Sequence, residues 1–198
     1  NVVALTSEQE DALRYTFESV LPKNDKDTKV NYSVSFESVS EDALPVFLTQ
    51  NEFMRRMKEM SVHQQGMSFY GQMPDHYNVV INTANPKVNV LMQQIMDACA
   101  QEVLPLQEQL SAKKDEEQQI KDAQKDIKEQ DLTQEQKDAV TAITKEVAAL
   151  KQQIKNAYAE HAKNEDKVSQ LIDIALLASG MLKGEALAKF VNRSVDLL

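Results

Sequence analysis

The amino-acid sequence predicts an α+β fold: a small mixed sheet with helices, a long inserted helical hairpin resembling a coiled coil, and a C-terminal helical hairpin. Three observations predict it. Residues 30–36 alternate strictly between polar and apolar side chains, which indicates a strand with one solvated face. Residues 73–178 contain no glycine, and the one aromatic residue between 78 and 189 is Tyr158, a composition typical of a long helical segment. Residues 168–198 carry more apolar surface than a single copy of the chain can bury.

Capping and alternation signals place the N-terminal elements. The spacing of Ser7 and Glu10 is that of a capping box, so we expect a helix from Ser7 to about Val20 with Leu13, Phe17 and Val20 facing inward. The strands expected to form the sheet cover residues 30–36, 46–48 and 77–81, and a charged turn at 23–29 precedes the first.

A methionine-rich segment lies between the second and third strands. Phe53, Met57 and Met60 recur at helical spacing, with Met54 beside them, and Met67, Phe69, Tyr70 and Met73 follow. Two interpretations stay open on these residues: the side chains enter the core of the domain, or they form an exposed surface. A methionine-rich surface adapts to many apolar partners because the side chain is unbranched and polarizable.

The middle of the chain predicts two long helices. The first covers residues 106–130, and a disordered charged linker is the alternative for it. Of the 26 residues from Lys113 to Asp138, which extend into the second helix, 15 are charged. Thr133 and Gln136 form a capping box for the second helix. Its apolar residues step by three and four, which predicts a helical hairpin of roughly 40 Å at ~1.5 Å per residue. That seam comprises Val140, Ile143, Val147, Leu150, Ile154, Ala157 and His161.

The last two helices predict association between copies of the chain. Asp173 is the one charge between Val168 and Leu182, and a link between Gly180 and Gly184 leads to a second apolar stripe. Each Leu, Val or Phe side chain left exposed loses roughly 1.5–3 kcal/mol of the stabilisation that its burial would give. Pairing with a second copy would close a four-helix bundle, so we expect a homodimerisation module.

Composition and motifs argue against most other functions. The 22 Lys and Arg against 31 Asp and Glu give a net charge of −9, which is unsuited to nucleic-acid binding. Cys99 is the one cysteine, and His63, His76 and His161 lie on different elements without ligands at metal spacing. We therefore expect no catalytic, cofactor-binding or metal-binding residues, no membrane contact, a cytoplasmic location, and a chain excised from a longer protein because it begins with Asn1.

Four stretches in this order resemble the C-terminal domain of the ninety-kilodalton heat-shock chaperone family. They are the strand and turn at 30–53, the amphipathic helix at 53–61, the strand ending at 78–88 and the terminal hairpin at 171–198. Ile81 and Asn82 match the strand ending, whereas Thr83 and Asn85 stand where the family has Pro and His. The most specific piece is residues 175–178, and the lack of an acidic tail after Leu198 favours a bacterial relative.

The resemblance implies an ATP-dependent homodimeric chaperone that clamps partly folded client proteins. ATP and Mg²⁺ are expected in an absent N-terminal domain, so the fragment itself is not expected to be an enzyme. Residues 1–88 and 167–198 would form the dimerisation domain, and 89–166 an inserted hairpin. The positions that match the client-facing helix are Phe53, Met54, Met57 and Met60. The positions implied for the dimer interface are Leu171, Ile172, Ala175, Leu176, Leu187, Phe190, Val191 and Val195.

A structural scaffold is the alternative function. In that case the inserted hairpin would bind a protein partner through its helices, and the remainder of the chain would serve as its base.

Overall fold

The computed structural model describes residues 4–23, 30–64, 66 and 68–198. The predicted turn at 23–29 and the residue Met67 fall largely or wholly outside them. Along the described chain the elements are α1 (Ser7–Val20), β1 (Val30–Glu37), β2 (Val46–Gln50), α2 (Glu52–Ser61), α3 (Ser68–Gln72), β3 (Asp75–Asn82), α4 (Pro86–Gln124), a 3₁₀ turn (Glu129–Asp131), α5 (Gln134–Ala162), α6 (Asp166–Ala178) and α7 (Gly184–Asp196). The predicted α+β class is confirmed.

The sheet is mixed, with the strand order β1-β3-β2. β1 pairs with β3 in parallel, with Val30 opposite Asp75, and β2 pairs with β3 in antiparallel, with Val46 opposite Ile81. Parallel pairing needs a crossover connection, and β2, α2 and α3 supply it. All three predicted strands are present, each one to three residues longer than predicted.

One face of the sheet forms the centre of the hydrophobic core. Val34, Val79 and Ile81 from the strands are buried together with Leu13 and Phe17 of α1. α6 covers β2 with an apolar face of its own. The inward orientation predicted for Leu13 and Phe17 is therefore confirmed.

The predicted capping box of α1 is wrong by one residue. Thr6, not Ser7, is the N-cap: its hydroxyl accepts a hydrogen bond from the Gln9 backbone N–H at 3.2 Å, and the Gln9 side chain accepts from the Thr6 N–H at 2.9 Å. The sequence allows a capping box at two adjacent positions, Thr6 with Gln9 or Ser7 with Glu10. The extended backbone of Thr6 (φ −71°, ψ 163°) selects the earlier one.

The long hairpin consists of α4 and α5, which pack along each other and against α1. The predicted capping box of Thr133 and Gln136 is present, and Ile143, Val147, Ile154 and Ala157 of the predicted seam are buried. The bounds predicted for the first helix are wrong. α4 begins at Pro86 rather than 106, passes through Pro105, and ends at Gln124 rather than 130. Its first half is part of the core, because Val88, Leu91, Ile95 and Val103 are buried.

Candidate interaction site

The helix α2 carries its methionines outside the core. The Asn51 side chain caps its first turn by accepting from the Met54 N–H at 3.1 Å. Phe53 is 61% exposed, Met60 is exposed, and Met54 and Met57 are half-buried. Of the two interpretations that the sequence left open, this placement agrees with an exposed surface.

The charged residues of α2 are largely paired with one another. Arg55 donates to Glu52 at 2.6 Å and to Glu59 at 2.5 Å. Hydrogen bonds from Arg55 lower the pKa of Glu52 to about 2, so this carboxylate stays ionised across the physiological range. The helix therefore presents an apolar side next to a locally neutralised one.

Two contacts hold α2 on the domain. The Lys58 ammonium donates to the Asp75 carboxylate at 2.8 Å, which joins the helix to the first residue of β3. On the other side α3 packs closely, since a methyl group added at Gly71 would lie 2.8 Å from the Ser61 hydroxyl oxygen. The helix is thus positioned by an ion pair and by close packing of α3, while Phe53 and Met60 remain exposed.

The apolar surface continues beyond the residues assigned from the sequence. Val62, directly after α2, is 79% exposed, and Phe69 of α3 is 70% exposed. The Phe69 ring packs edge-on against Tyr70, with centroids 6.0 Å apart. Val62 was not assigned from the sequence because it lies after Phe53, Met57 and Met60 and outside the helical spacing that they share. We call Phe53, Met54, Met57, Met60, Val62 and Phe69 the methionine surface.

The eight residues assigned to a dimer interface in the terminal hairpin differ in how deeply they are buried. Ile172, Ala175 and Leu176 are buried within their own chain, where α6 packs on β2 and α1. Leu171, Leu187 and Phe190 are half-buried against the same core. Val191 is 50% exposed and Val195 is 63% exposed.

The terminal hairpin carries further exposed apolar residues. Val191 and Val195 are accompanied by Leu177, Leu197 and Leu198, which are also exposed and were not assigned from the sequence. Gly180 (φ 69°) and Gly184 (φ 59°) turn the chain between α6 and α7 in the left-handed conformation that glycine adopts without strain. We call Leu177, Val191, Val195, Leu197 and Leu198 the outward strip.

A groove of about 490 Å³ lies beside this strip. Its walls come from the first turns of α4 and α6 and from the end of α7, and they are mostly apolar. The lining includes Pro86, Val90, Leu91, Leu171 and Leu197, with Lys87 and Lys167 also present.

The residues that could carry chemistry lie apart. Cys99 is buried, and desolvation raises the pKa of its thiol, which disfavours the reactive thiolate. His63 is exposed, His76 contacts the Ser33 hydroxyl at 3.0 Å, and His161 lies 3.9 Å from Glu165. In the described ranges, no three His, Cys, Asp or Glu residues come together in a group able to hold a metal ion. No helix among those residues is both long and apolar enough to cross a bilayer.

Comparison with known proteins finds close relatives among bacterial chaperones. The chain is 40% identical to the chaperone protein HtpG of Bacteroides thetaiotaomicron over 194 residues, which is 98% of the chain and 28% of that protein. It is 39% identical to HtpG of Bacteroides fragilis over the same shares, and 36% identical to HtpG of Porphyromonas gingivalis over 99% of the chain and 28% of the relative. Neither a protein-family model nor a solved structure matches.

The chain therefore spans a little over a quarter of the length of the curated relatives that it matches. Because the match covers almost the entire chain, it includes the α4–α5 hairpin. That hairpin is shared with these relatives.

Proposed function

Because the chain belongs to the HtpG chaperone family, we propose that it is the segment that joins two copies of the chaperone and contacts partly folded client proteins. The observation that carries the proposal is the methionine surface. An amphipathic helix leaves aromatic and methionine side chains exposed while its charges pair with one another. Contiguous exposed apolar surface on a soluble domain marks an interaction site.

The chemistry of the methionine surface suits partners without a common sequence. Methionine has three rotatable bonds and a polarizable sulfur atom, so it repacks around differently shaped apolar groups at little cost. Flexible apolar surfaces of this kind bind many partners weakly. Partly folded proteins share exposed hydrophobic side chains, and we propose them as the partner class.

The outward strip supports the homodimer. Covering it with the same strip of a second copy would give a self-complementary interface with two-fold symmetry. Joining two long chaperone chains at this segment would make encounters between their distant parts intramolecular, with effective concentrations of about millimolar for short flexible tethers. We place ATP and Mg²⁺ in parts of the longer protein outside this segment.

The experiment that tests client contact substitutes the methionines of α2. We expect Met57→Ser/Met60→Ser to weaken binding of fluorescently labelled, reduced and carboxymethylated α-lactalbumin at least fivefold, because two apolar contacts are lost. Fluorescence anisotropy measures the dissociation constant. Phe53→Ser, at a more exposed position, should weaken it without touching the core.

The matched control is Leu104→Ser, since Leu104 is an exposed apolar residue of α4 outside the methionine surface. Its binding should equal that of the unsubstituted chain, and circular dichroism verifies that every variant is folded. Unchanged binding in both α2 variants would refute the proposed client surface, as would an equal loss in Leu104→Ser.

A further inference from the structure

A polar cluster joins the two helices of the terminal hairpin. Asp173, the one charge in the apolar stretch of α6, pairs with Arg193 of α7. Arg193 Nε also donates to Gln170 Oε1 at 2.8 Å, and the Gln170 amide donates to the Ser194 hydroxyl. The Ser194 hydroxyl donates in turn to the Phe190 carbonyl at 2.8 Å. The Asp173 and Arg193 side chains are both about four-fifths buried.

This cluster contributes much of what fixes α7. Every residue of α7 is at least partly exposed, and its main contacts are with α6. The apolar part of that contact comes from Leu187 and Phe190, which are half-buried. Apolar contacts alone do not define how far a helix is rotated about its own axis, whereas a planar guanidinium held at two acceptors does.

The rotation set by the cluster decides which side chains point outward. At roughly 100° per residue, Val191 and Val195 each lie about 160° around α7 from Arg193. With Arg193 facing α6, both valines must face away from the chain, as their exposure shows. A rotation that turned them toward α6 would bury them within their own chain and remove them from the outward strip.

We propose that Asp173, Gln170, Arg193 and Ser194 act as a rotational lock that keeps Val191 and Val195 available to a second copy of the chain. The role rests on the proposed homodimer. A rotated α7 would leave Asp173 and Gln170 without partners in a mostly buried setting, which costs more than the hydrogen bonds contribute. Burial raises the pKa of Asp173 even beside Arg193, in keeping with a carboxylate that is costly to leave unpaired.

The test replaces the lock by apolar residues of similar size. Asp173→Leu/Arg193→Met should remain folded with an equal or higher melting temperature, since a buried pair is often no more stabilising than well-packed apolar groups. Its dimer dissociation constant, measured by sedimentation velocity over a dilution series, should nevertheless rise at least tenfold. Arg193→Lys keeps the charge but loses the guanidinium that is held at two acceptors, so its dissociation constant should lie between those of the unsubstituted chain and of the double variant. Glu185→Gln/Lys189→Gln, which removes an exposed ion pair on the same helix, should change nothing.

A second readout reports the rotation without requiring a dimer. A cysteine at position 195 (Val195→Cys in a Cys99→Ala background) is labelled with a maleimide at a concentration where the chain is monomeric. Labelling should be at least threefold slower when the lock is replaced. Equal labelling rates, or an unchanged dissociation constant in Asp173→Leu/Arg193→Met, would overturn the lock. The unsubstituted chain could also fail to dimerise while the labelling difference persists. In that case the cluster would still fix the rotation of α7, and the proposed dimer would be the claim that fails.

Discussion

Two buried asparagines show how single residues organise this domain. The Asn82 amide donates to the carbonyls of Ser40 at 2.7 Å and Leu44 at 3.3 Å, and its oxygen accepts from the backbone N–H of Val39 and of Ala84 at 3.2 Å each. The Asn82 side chain at the end of β3 therefore makes three hydrogen bonds to the loop between β1 and β2.

Asn85 stands at a position where the sequence departs from the family pattern, and its side chain makes hydrogen bonds to both α4 and the loop between β1 and β2. Its oxygen accepts from the Lys87 N–H at 2.9 Å and caps α4, while its amide donates to the Ala43 carbonyl at 2.9 Å. The sequence identified Asn82 and Asn85 as positions of a strand ending. Their partners could not be predicted, because they lie about 40 residues away along the chain.

The residue-scale prediction concerns Asn82. Asn82→Ala should lower the free energy of unfolding by about 2–3 kcal/mol, because it removes four hydrogen bonds that a fully buried side chain makes to the backbone. Urea denaturation monitored by circular dichroism measures the change. Asn89→Ala is the control: Asn89 is exposed although it also donates to backbone carbonyls, so its loss should stay below about 1 kcal/mol. Equal losses in the two variants would contradict this account of the loop.

At the scale of elements, local patterns predicted the structure well. The alternation of residues 30–36, the capping box at Thr133 and the seam of α5 are encoded within one or two turns of chain, and the structure contains all of them. The start of α4 was missed since the helix passes through Pro105, which is exposed. The surrounding turns are held by packing against α1 and α5, which local sequence does not record.

The terminal hairpin shows what an apolar stripe leaves undetermined. The family resemblance assigned Ile172, Ala175 and Leu176 to a dimer interface, and the structure buries all three within their own chain. Whether an apolar face packs on its own chain or on another depends on tertiary placement, and here it packs on the sheet of its own chain. The exposed valines of the hairpin, Val191 and Val195, lie instead on α7.

The element-scale prediction tests the scaffold alternative by shortening the α4–α5 hairpin. Residues 118–142 can be replaced by a short Gly-Ser loop, because Glu117 and Thr144 already contact each other at 3.2 Å across the hairpin. A deletion reaching to 162 would instead remove Ile154 and Tyr158 from the core. We expect the shortened chain to keep its oligomeric state in solution and its affinity for the unfolded client. Loss of either property would favour the scaffold function.

At the scale of the whole molecule, the sheet connects the two proposed surfaces. Lys58 ties the methionine surface to the start of β3, β3 pairs with β2, and α6 packs on β2. The helix proposed to contact clients and the hairpin proposed to form the dimer are thereby held on one three-stranded frame. In a symmetric dimer each methionine surface would keep a fixed position relative to its copy.

The most direct measurement is the mass of this chain in solution by multi-angle light scattering, beside Val191→Asp/Val195→Asp. A charge on each exposed valine disrupts the outward strip and leaves the core untouched, because neither side chain is buried. We expect the unsubstituted chain at micromolar concentration to have twice its own mass of 22.4 kDa, and the variant to have the mass of one chain. A monomeric unsubstituted chain, or a variant that remains dimeric, would contradict the claim that the outward strip joins two copies.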